Sequence, residues 1–388
     1  MLLRILALSA TLMFAAPLAE AAQPKTKHKL SQKKLQKARD AAPRPLGERE
    51  DMRRFAAELA AREGFDEAQL RRQLAAAKVV PSVQRLIMPA PAGVAKDWGA
   101  YRARFIEAQR LQAGLAFWNQ HQAALARAEE RFGVPASVIM GILGVETFYG
   151  RIMGGYSALD ALVTLTFEFP KGRSDRSAFF RQQLVELLLL ARHEGLDPSG
   201  FKGSYAGAMG YGQFMPGSWN RYALDFDGDG QIDLIGSPVD AIGSVANFLA
   251  EHGWLRGQAS DYTLVMPTDT TARAQMLVPD IRPTFSAAQL VEMGAQISDA
   301  ARMHEGPLAV IELQMGERAA PVYRLGTQNF YALTRYNQSS YYALAVIELG
   351  RELQALRMIG SPQPPASPEP TPPVAPPASG SSGPSASP

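Results

Sequence analysis

The sequence predicts a mainly α-helical protein, of class α+β, in which a small β-containing insertion interrupts the helices. Apolar residues recur at helical spacing through most of the chain before Gly257, and again from Tyr341. Between Gly257 and Gly326, short stretches of β-branched and aromatic residues replace that spacing. A composition that is 46% hydrophobic and 20% charged is typical of a globular protein, and 388 residues allow two or three domains or one body with an insertion.

The N-terminus has the features of a secretory signal peptide. Arg4 precedes an apolar stretch from Ile5 to Ala16, and small residues follow it. That stretch is too short to span a bilayer comfortably, and the segment Ala19 to Ala21 matches an A-x-A cleavage site. We therefore expect cleavage after Ala21 and a soluble, periplasmic mature protein. An uncleaved N-terminal anchor is the alternative.

A basic arm follows the signal peptide. Residues 25–44 contain six lysines and two arginines, whereas the net charge of the whole chain is only +3. Such a run is usually a solvated tether, although it could also attract an anionic polymer such as the cell wall, and we favour the tether. The expected export and the lack of a basic stripe in the folded part argue against a nucleic-acid partner. The absence of cysteine excludes disulfides, thiol-bound metals and a cysteine-linked lipid anchor.

Seven helices are predicted from capping residues and apolar spacing. Gly64 is placed to end the first helix and Asp66 to cap the second, while Pro135 is suited to the first turn of the helix that reaches Glu146. Gly253 is placed to end the sixth helix. The predicted helices cover residues 48–63, 66–77, 101–131, 135–146, 177–194, 239–252 and 341–356.

The remaining segments complete the predicted organisation. Strands are expected at residues 262–266, 309–314 and 322–325, and a loop at residues 89–93. From Ser361 onward the chain is rich in proline and serine without apolar periodicity, which predicts a disordered tail that acts as a spacer. The predicted parts are a signal peptide (1–21), a basic arm (22–46), a helical region with an acidic loop at 225–240 (47–256), the β-containing insertion (257–326), a C-terminal helical part (327–358) and the tail (361–388).

Glu146 is the first candidate for a chemical role. It lies at the end of an almost wholly apolar stretch, with Ile142, Leu143 and Tyr149 as its near neighbours on a helix. Desolvation raises the pKa of a carboxyl group toward that of a general acid working near neutral pH. A boundary glutamate that is satisfied by backbone donors is the alternative interpretation.

A glycine-rich segment from Ser204 to Ser218 is the second candidate. Its glycines allow the backbone to approach a ligand closely, while Ser204 and Gln213 offer hydrogen bonds and Tyr205, Tyr211 and Phe214 offer flat apolar faces. Sugars are bound by that mixture of groups. A simple turn would also be rich in glycine, but few turns carry so many aromatic and amide groups.

An acidic loop begins at Asp225 with the sequence Asp-Phe-Asp-Gly-Asp-Gly-Gln-Ile-Asp. Oxygen ligands at alternating positions and a glycine at the sixth are the opening of an EF-hand calcium loop. Gly236 replaces the glutamate expected at the twelfth position, and Asp240 is the nearest substitute. A metal-free acidic turn is the alternative.

Four blocks of sequence together resemble a known family. They are Glu146-Thr-Phe-Tyr-Gly with Gly207-Ala-Met-Gly-Tyr-Gly-Gln-Phe-Met-Pro, the Asp225 loop, residues 237–254 and residues 329–346. Their order and motifs resemble the membrane-bound lytic transglycosylase B family, glycoside hydrolase family 103, here without a lipid-anchor cysteine. The resemblance extends from about Trp98 to Ala355.

The resemblance implies a lysozyme-like helical core with an additional helical domain and a small β domain. It implies that Glu146 is the catalytic residue of a lytic murein transglycosylase, a monomer that acts on peptidoglycan glycan strands and needs no catalytic cofactor. The implied glycan contacts are Ser204, Gln213, Asn337, Tyr342 and, with weaker support, Tyr101. For the structural Ca²⁺ the implied ligands are Asp225, Asp227, Asp229, the Gln231 carbonyl and Asp240, with Asp233 able to bind through water.

The family's reaction uses one carboxyl group. Glu146 would protonate the oxygen between N-acetylmuramic acid and N-acetylglucosamine, and would then take the proton of the muramoyl C6 hydroxyl as that oxygen closes a 1,6-anhydro ring. The N-acetyl group of the substrate would assist at C1, as in substrate-assisted glycosidases, and Asn337 and Tyr342 could orient it.

Two other functions remain open at the level of sequence. A hydrolytic muramidase would commonly need a second carboxylate near Glu146, and Asp160 and Glu168 follow it in the chain. A non-catalytic peptidoglycan-binding scaffold would keep the groove without turnover. Glu146 argues against the scaffold, because binding alone does not require a carboxyl group in an apolar place.

Overall fold

The computed structural model describes residues 44–47, 49–89, 95–317 and 319–360. The predicted signal peptide, most of the basic arm and the predicted disordered tail lie outside these residues. Of the predicted loop at 89–93, only Pro89 is described.

Within the described residues, sixteen α-helices dominate the structure, which confirms the predicted mainly α architecture. The helices, numbered α1 to α16 in chain order, are Glu50–Glu63, Glu67–Ala76, Pro81–Leu86, Trp98–Ala103, Ala108–Gln120, Gln122–Phe132, Ala136–Thr147, Ala158–Phe167, Ser177–His193, Pro216–Tyr222, Pro238–Glu251, Thr270–Leu277, Ala287–Glu292, Asp299–Arg302, Gln328–Tyr336 and Ser340–Gly360. Gly64 ends α1 in the left-handed conformation with φ 69°, and the Asp66 carboxylate accepts a hydrogen bond from the Gln69 amide to cap α2.

The strands, numbered β1 to β8, are Arg44–Pro45, Lys78–Val79, Tyr156–Ser157, Lys202–Gly203, Asp261–Val265, Gln296–Ile297, Ala309–Leu313 and Val322–Gly326. Strands β1 and β2 pair with each other, as do β3 and β4. The other four form an antiparallel sheet in the order β6-β5-β8-β7, within the predicted β-containing insertion. Three short helices, α12 to α14, occupy the same segment and were not predicted.

The single helix predicted at residues 101–131 is wrong. The chain there forms α4, α5 and α6, with breaks before Ala108 and at His121. The Glu107 side chain accepts hydrogen bonds from the amides of Gln109 and Arg110, and so starts a new helix at Ala108. A glutamate is an unusual residue at that capping position, which is why apolar spacing alone did not reveal the break.

The centre of the molecule is the contact between α7 and α16. A Cβ atom added at Gly141 would lie 2.2 Å from the Val346 carbonyl oxygen, and one added at Gly350 would lie 2.3 Å from the Ser137 carbonyl oxygen. The two helices are therefore antiparallel, and their backbones are in contact at one glycine of each helix. This register brings the C-terminal end of α7 opposite the first turn of α16.

The insertion has a small apolar core of its own. Leu264, Leu290, Leu308, Val310 and Leu325 belong to it. Ala309, Ile311 and Leu313 on the same strand β7 belong instead to the main core. Because side chains alternate across a strand, β7 forms a wall shared by both cores.

Charged side chains also join the insertion to α16. The side chain of Asp261 in β5 is only 1% exposed, and one of its oxygens lies 2.5 Å from an Arg351 nitrogen. Arg102 pairs with Glu348 and Glu352, which brings α4 into the same network. The helices described here include none that is long and apolar enough to cross a membrane.

Replacement of Gly141 by alanine is expected to destabilise the protein. The added methyl group would collide with the backbone of α16, and overpacking of this kind costs typically about 1–3 kcal/mol. Thermal and denaturant unfolding measure the change. Gly200→Ala is the control, since that glycine is exposed and nothing lies within 4 Å of an added Cβ. Equal stability of the two variants would contradict the close approach of the helices.

Candidate active site

Glu146 lies in the last turn of α7, where the helix meets the surface. Ile142 and Leu143 on the preceding turn are fully buried, whereas Glu146 is half-buried and lines an open cavity of about 320 Å³. The carboxyl group is densely surrounded by protein atoms although one side faces the cavity. This burial raises its pKa to about 7.

Two tyrosines form the environment of the Glu146 carboxyl group. Tyr342, in the first turn of α16, lies close enough for its hydroxyl to lower the pKa of Glu146, against the larger effect of burial. The Tyr342 hydroxyl and the Glu146 carboxyl group do not reach full hydrogen-bond geometry, so the Tyr342 hydroxyl has no hydrogen-bond partner among the described residues. Burial and the Glu146 charge raise the pKa of both Tyr336 and Tyr342 well above the usual value, so both phenols stay neutral.

The backbone directly after Glu146 makes a sharp turn. Phe148 and Tyr149 both have positive φ, at 54° and 58°, which is rare for aromatic residues. The Thr147 hydroxyl fixes the turn, donating to the Tyr211 carbonyl at 2.8 Å and accepting from the Gly150 amide at 3.0 Å. Strained backbone of this kind is concentrated at functional sites, because only the surrounding structure holds it in place.

The glycine-rich segment forms one wall of the cavity. Ser204 is 1% exposed, and its hydroxyl accepts a hydrogen bond from the Ala208 amide at 3.1 Å. Gln213 has a φ of 51°, and its Nε2 donates to the carbonyls of Met153 and Gly210. Its Oε1 is buried without a partner among the described residues, so it is available to a ligand.

The end of α15 and the residues that follow it form a second wall of the cavity. Tyr336, Asn337 and Gln338 line the cavity, and the Tyr336 hydroxyl donates to the Gly212 carbonyl at 2.5 Å, which ties the two walls together. The Asn337 Oδ1 atom is buried and lacks a partner in the described part of the chain. Unpaired buried acceptors on two walls of one cavity are the groups that a polar ligand would satisfy.

The structure brings four of the six predicted catalytic and glycan residues together as cavity lining, namely Glu146, Ser204, Gln213 and Asn337. The other two, Tyr342 and Tyr101, do not line the cavity. Burial raises the pKa of Tyr101 to about 12, with opposing effects from the charges of Arg104 and Glu146. Tyr101 therefore lies near Glu146, beyond the cavity.

Several lining residues were missed by the sequence analysis. Arg176, Phe179 and Gln183 come from the start of α9, and Phe248 comes from α11. These two helices were predicted, but helical spacing alone does not tell which of their residues face a groove. Tyr336 is different, because it directly precedes Asn337 within the block of residues 329–346 and could have been identified as a lining residue from that block.

The two acids considered as partners of Glu146 have other roles. An Asp160 oxygen accepts a hydrogen bond from the Lys78 amide at 2.8 Å, and Glu168 pairs with Arg49. Among the residues that line the cavity, Glu146 is the only carboxylic acid. The site as described therefore offers one acid and several neutral hydrogen-bonding groups.

The acidic loop lies behind the glycine-rich wall. Oxygens of Asp225, Asp227 and Asp229 lie within 4.8 Å of one another, close enough to hold one ion. Asp240 is outside this cluster. It is 1% exposed, and its carboxylate accepts hydrogen bonds from the Phe226, Asp227 and Asp233 amides. In this structure Asp240 organises the backbone of the loop.

The loop is joined directly to the groove. The Tyr211 amide donates to the Leu234 carbonyl at 2.9 Å. A Cβ atom at Gly210 would lie 2.3 Å from the same carbonyl oxygen. Any ion that stiffens the loop therefore also supports the wall that carries Gln213.

Comparison with known proteins places this arrangement in a family. The model of the transglycosylase SLT domain matches residues 47–351. The membrane-bound lytic murein transglycosylase B of Escherichia coli K12 is 42% identical over 303 residues, covering 76% of this chain and 80% of that protein.

Two solved structures are similar in fold. The Escherichia coli lytic transglycosylase Slt35 in complex with calcium is 39% identical with a TM-score of 0.71, over 81% of this chain and 97% of that one. SltB3 from Pseudomonas aeruginosa in complex with NAG-anhNAM-pentapeptide is 30% identical with a TM-score of 0.65, over 79% of each chain. By sequence and by fold, this chain belongs to the transglycosylase SLT domain family of lytic murein transglycosylases.

Proposed function

We propose that this protein cuts the β-1,4 bond between N-acetylmuramic acid and N-acetylglucosamine in peptidoglycan, with Glu146 as both acid and base, and releases 1,6-anhydromuramoyl products. The observation that carries the proposal is a single carboxyl group with a pKa of about 7 in a cavity otherwise lined by neutral and basic groups. Near neutral pH such a group can both give and accept a proton.

The first step is protonation of the leaving oxygen. Glu146 transfers its proton to the glycosidic oxygen as the bond from that oxygen to C1 breaks. The positive charge that develops at C1 needs a stabilising group, and in the absence of a second carboxylate the N-acetyl group of the substrate supplies it. The unpaired Oδ1 of Asn337 is suited to accept the N–H of that group and hold it under C1.

The second step returns the proton. The Glu146 carboxylate takes the proton of the muramoyl C6 hydroxyl while that oxygen attacks C1 and closes the 1,6-anhydro ring. Water is not consumed, and Glu146 ends protonated as it began. The neutral phenols of Tyr336 and Tyr342 suit this cycle, because they bury the carboxyl group without a cation that would hold it ionised.

The two alternative functions, a hydrolytic muramidase and a binding scaffold, fit the site less well. A two-carboxylate muramidase needs a second acid in the cavity, and Asp160 and Glu168 are bound elsewhere. A binding scaffold gains nothing from a carboxyl group held at an elevated pKa. The SltB3 structure contains an anhydromuramoyl pentapeptide, which supports peptidoglycan as the ligand class for this chain and the cell envelope as its place of action.

A calcium ion is proposed for the acidic loop, with a structural role. The Slt35 structure is a complex with calcium, and the clustered oxygens of Asp225, Asp227 and Asp229 are the hard ligands that calcium prefers. We retain the Gln231 carbonyl as a further ligand. Asp240 is proposed either to complete the shell or to keep its bonds to the backbone and shape the loop from behind.

Glu146→Gln is expected to abolish turnover while the fold is retained. A general acid contributes typically about 10²- to 10⁴-fold in rate, and here one group serves both steps, so the loss should reach the upper end. The measurement is release of soluble muropeptides from purified sacculi. Glu130→Gln, at an exposed position of α6, is the matched control and should retain full activity.

The same digest distinguishes the two chemistries. A transglycosylase releases anhydro products that are one water lighter than those of a muramidase, which mass spectrometry resolves. Reducing-end muropeptides as the main product, or activity of Glu146→Gln within tenfold of wild type, would refute the mechanism.

The Glu146 carboxyl should also make stability depend on pH. Its folded-state pKa of about 7 exceeds its ordinary value of 4.5, so between these pH values the folded protein holds a proton that the unfolded chain has released. The free energy of unfolding therefore falls as pH rises through this window. Glu146→Gln avoids this cost and should be more stable than wild type at pH 8, by on the order of 2–3 kcal/mol, with little difference near pH 4.5. A difference between the two proteins that does not change with pH would contradict the burial of an ionised Glu146.

Removal of calcium should lower the melting temperature before it affects the chemistry. Binding to the folded state alone stabilises by about 2.7 kcal/mol at a hundredfold excess over the dissociation constant. Scanning calorimetry with chelator, with calcium and with magnesium measures the effect. Asp229→Asn, which removes one charge of the cluster, should reduce the calcium-dependent shift. Identical melting curves of the wild type under all three conditions would rule out the site.

A further inference from the structure

The hydroxyl group of Thr147 joins three segments of the chain directly behind Glu146. It donates to the Tyr211 carbonyl at 2.8 Å and accepts from the Gly150 amide at 3.0 Å. The Leu143 carbonyl, one turn earlier in α7, lies at 3.3 Å and is the weaker of the two acceptors for the single hydroxyl hydrogen. The last turn of α7 is thus connected both to the turn that follows it and to the glycine-rich wall.

The turn after Glu146 and the glycine-rich wall also fit closely elsewhere. A Cβ atom added at Gly150 would lie 2.1 Å from the ring of Tyr211. The Gln213 Nε2 atom donates to the Met153 carbonyl at 3.1 Å. The distance between the acid and the wall is therefore set by the contacts of this turn.

The conformation that the Thr147 hydroxyl holds is an unfavourable one. Phe148 and Tyr149 both have positive φ, at 54° and 58°, and such residues persist only where the surrounding structure imposes them. The last carbonyls of a helix also lack partners within the helix. Thr147 is 1% exposed, so solvent does not compete for its two bonds.

Thr147 acts on a substrate only through the residues that it holds, because it does not line the cavity. Burial, and with it the Glu146 charge, raises the pKa of three nearby tyrosines, namely Tyr101, Tyr336 and Tyr342. Within the described part of the chain, none of the three shares a hydrogen bond with Thr147. Loss of the hydroxyl would therefore move the carboxyl group without removing any of these neighbours.

We propose that Thr147 is a positioning residue, whose hydroxyl holds the Glu146 carboxyl group in its buried place beside the cavity and at a fixed distance from the glycine-rich wall. The proposal rests on Glu146 being the acid and base of the proposed function. Without the hydroxyl, the Tyr211 carbonyl and the Gly150 amide lose a hydrogen-bond partner, the last turn of α7 loosens, and water reaches the carboxyl group. The acid then ionises at lower pH, while the groups that bind the glycan stay in place.

Thr147→Val tests the proposal, because valine keeps the shape of the side chain and lacks only the hydroxyl group. The rate on soluble peptide-bearing glycan fragments should fall by about tenfold to a hundredfold at pH 7, as expected when the acid is displaced by about 1 Å. The decline of kcat/KM at high pH, which reports loss of the acid's proton, should move to lower pH by about one pH unit. Binding of the same fragments in the Glu146→Gln background should be unchanged, because Gln213 and Asn337 remain in place.

Proton linkage tests the same idea without a substrate. The difference in stability between the wild type and Glu146→Gln depends on pH, because burial raises the pKa of Glu146 in the folded protein. When both proteins also carry Thr147→Val, the change in that difference between pH 4.5 and pH 8 should shrink to about half, since a better solvated carboxyl group ionises at less cost. This measurement does not involve the reaction, so it separates failure of the positioning role from failure of the proposed function.

Matched variants separate positioning from stability alone. Thr164→Val is the control, because the Thr164 hydroxyl is equally buried, donates to the Asp160 carbonyl at 2.7 Å and accepts from the Val80 amide at 3.0 Å, and Thr164 does not line the cavity. It should lower the melting temperature and leave the pH profile unchanged. Thr147→Ser keeps the hydroxyl group and should retain the wild-type pH profile, whereas Thr147→Ala should show the shift.

Three results would overturn the proposal and leave the Thr147 hydroxyl with a structural role alone. They are an unchanged pH profile in Thr147→Val, an equal shift in Thr164→Val, and the inability of both Thr147→Val and Thr147→Ala to fold while Thr147→Ser folds.

Discussion

The backbone contact between α7 and α16 is the constraint on which the site depends. Gly141 meets Val346 and Gly350 meets Ser137, so the two antiparallel helices are held in one register at the smallest separation that backbones allow. The same register, carried one more turn, sets Glu146 against Tyr342. Helices separated by larger side chains would sit apart by a few ångströms, and the carboxyl group would then face solvent with an ordinary pKa.

Several buried polar groups around Glu146 have no hydrogen-bond partner in the described part of the chain, which is a cost in folding free energy. Gln213, Asn337 and Tyr342 each keep a buried oxygen without a partner among the described residues, although such groups usually find one. The turn at Phe148 and the backbone of Gln213 add conformations that cost energy. These features lie within one region around Glu146, while the surrounding helices follow ordinary packing rules. A ligand that supplies the missing partners recovers part of this cost on binding.

Local patterns predicted the parts of this molecule that depend on local chemistry. Glycine and aspartate at helix ends predicted the boundary between α1 and α2. The apolar stretch ending in Glu146 predicted a carboxyl group with a raised pKa, because burial of a carboxyl group can be inferred from its neighbours on a helix. The division of residues 101–131 into three helices depends on Glu107 acting as a cap, which apolar spacing does not register. Arg176 and Phe179 reach the cavity only through the packing of α9, and no pattern in their own segment indicates this.

Strand β7 belongs to both hydrophobic cores, which limits how this protein can be divided into domains. Because Ala309, Ile311 and Leu313 belong to the main core while Val310 belongs to that of the insertion, with Leu308 just before the strand, both cores depend on this one strand. The insertion is therefore not a module that evolution or an engineer could remove to leave a minimal enzyme. Its excision would open the catalytic body along the face next to α16, and a shift of one residue in β7 would exchange the side chains of the two interiors. Variation in this family should accordingly be accommodated in the loops of the insertion and not in the strand that it shares.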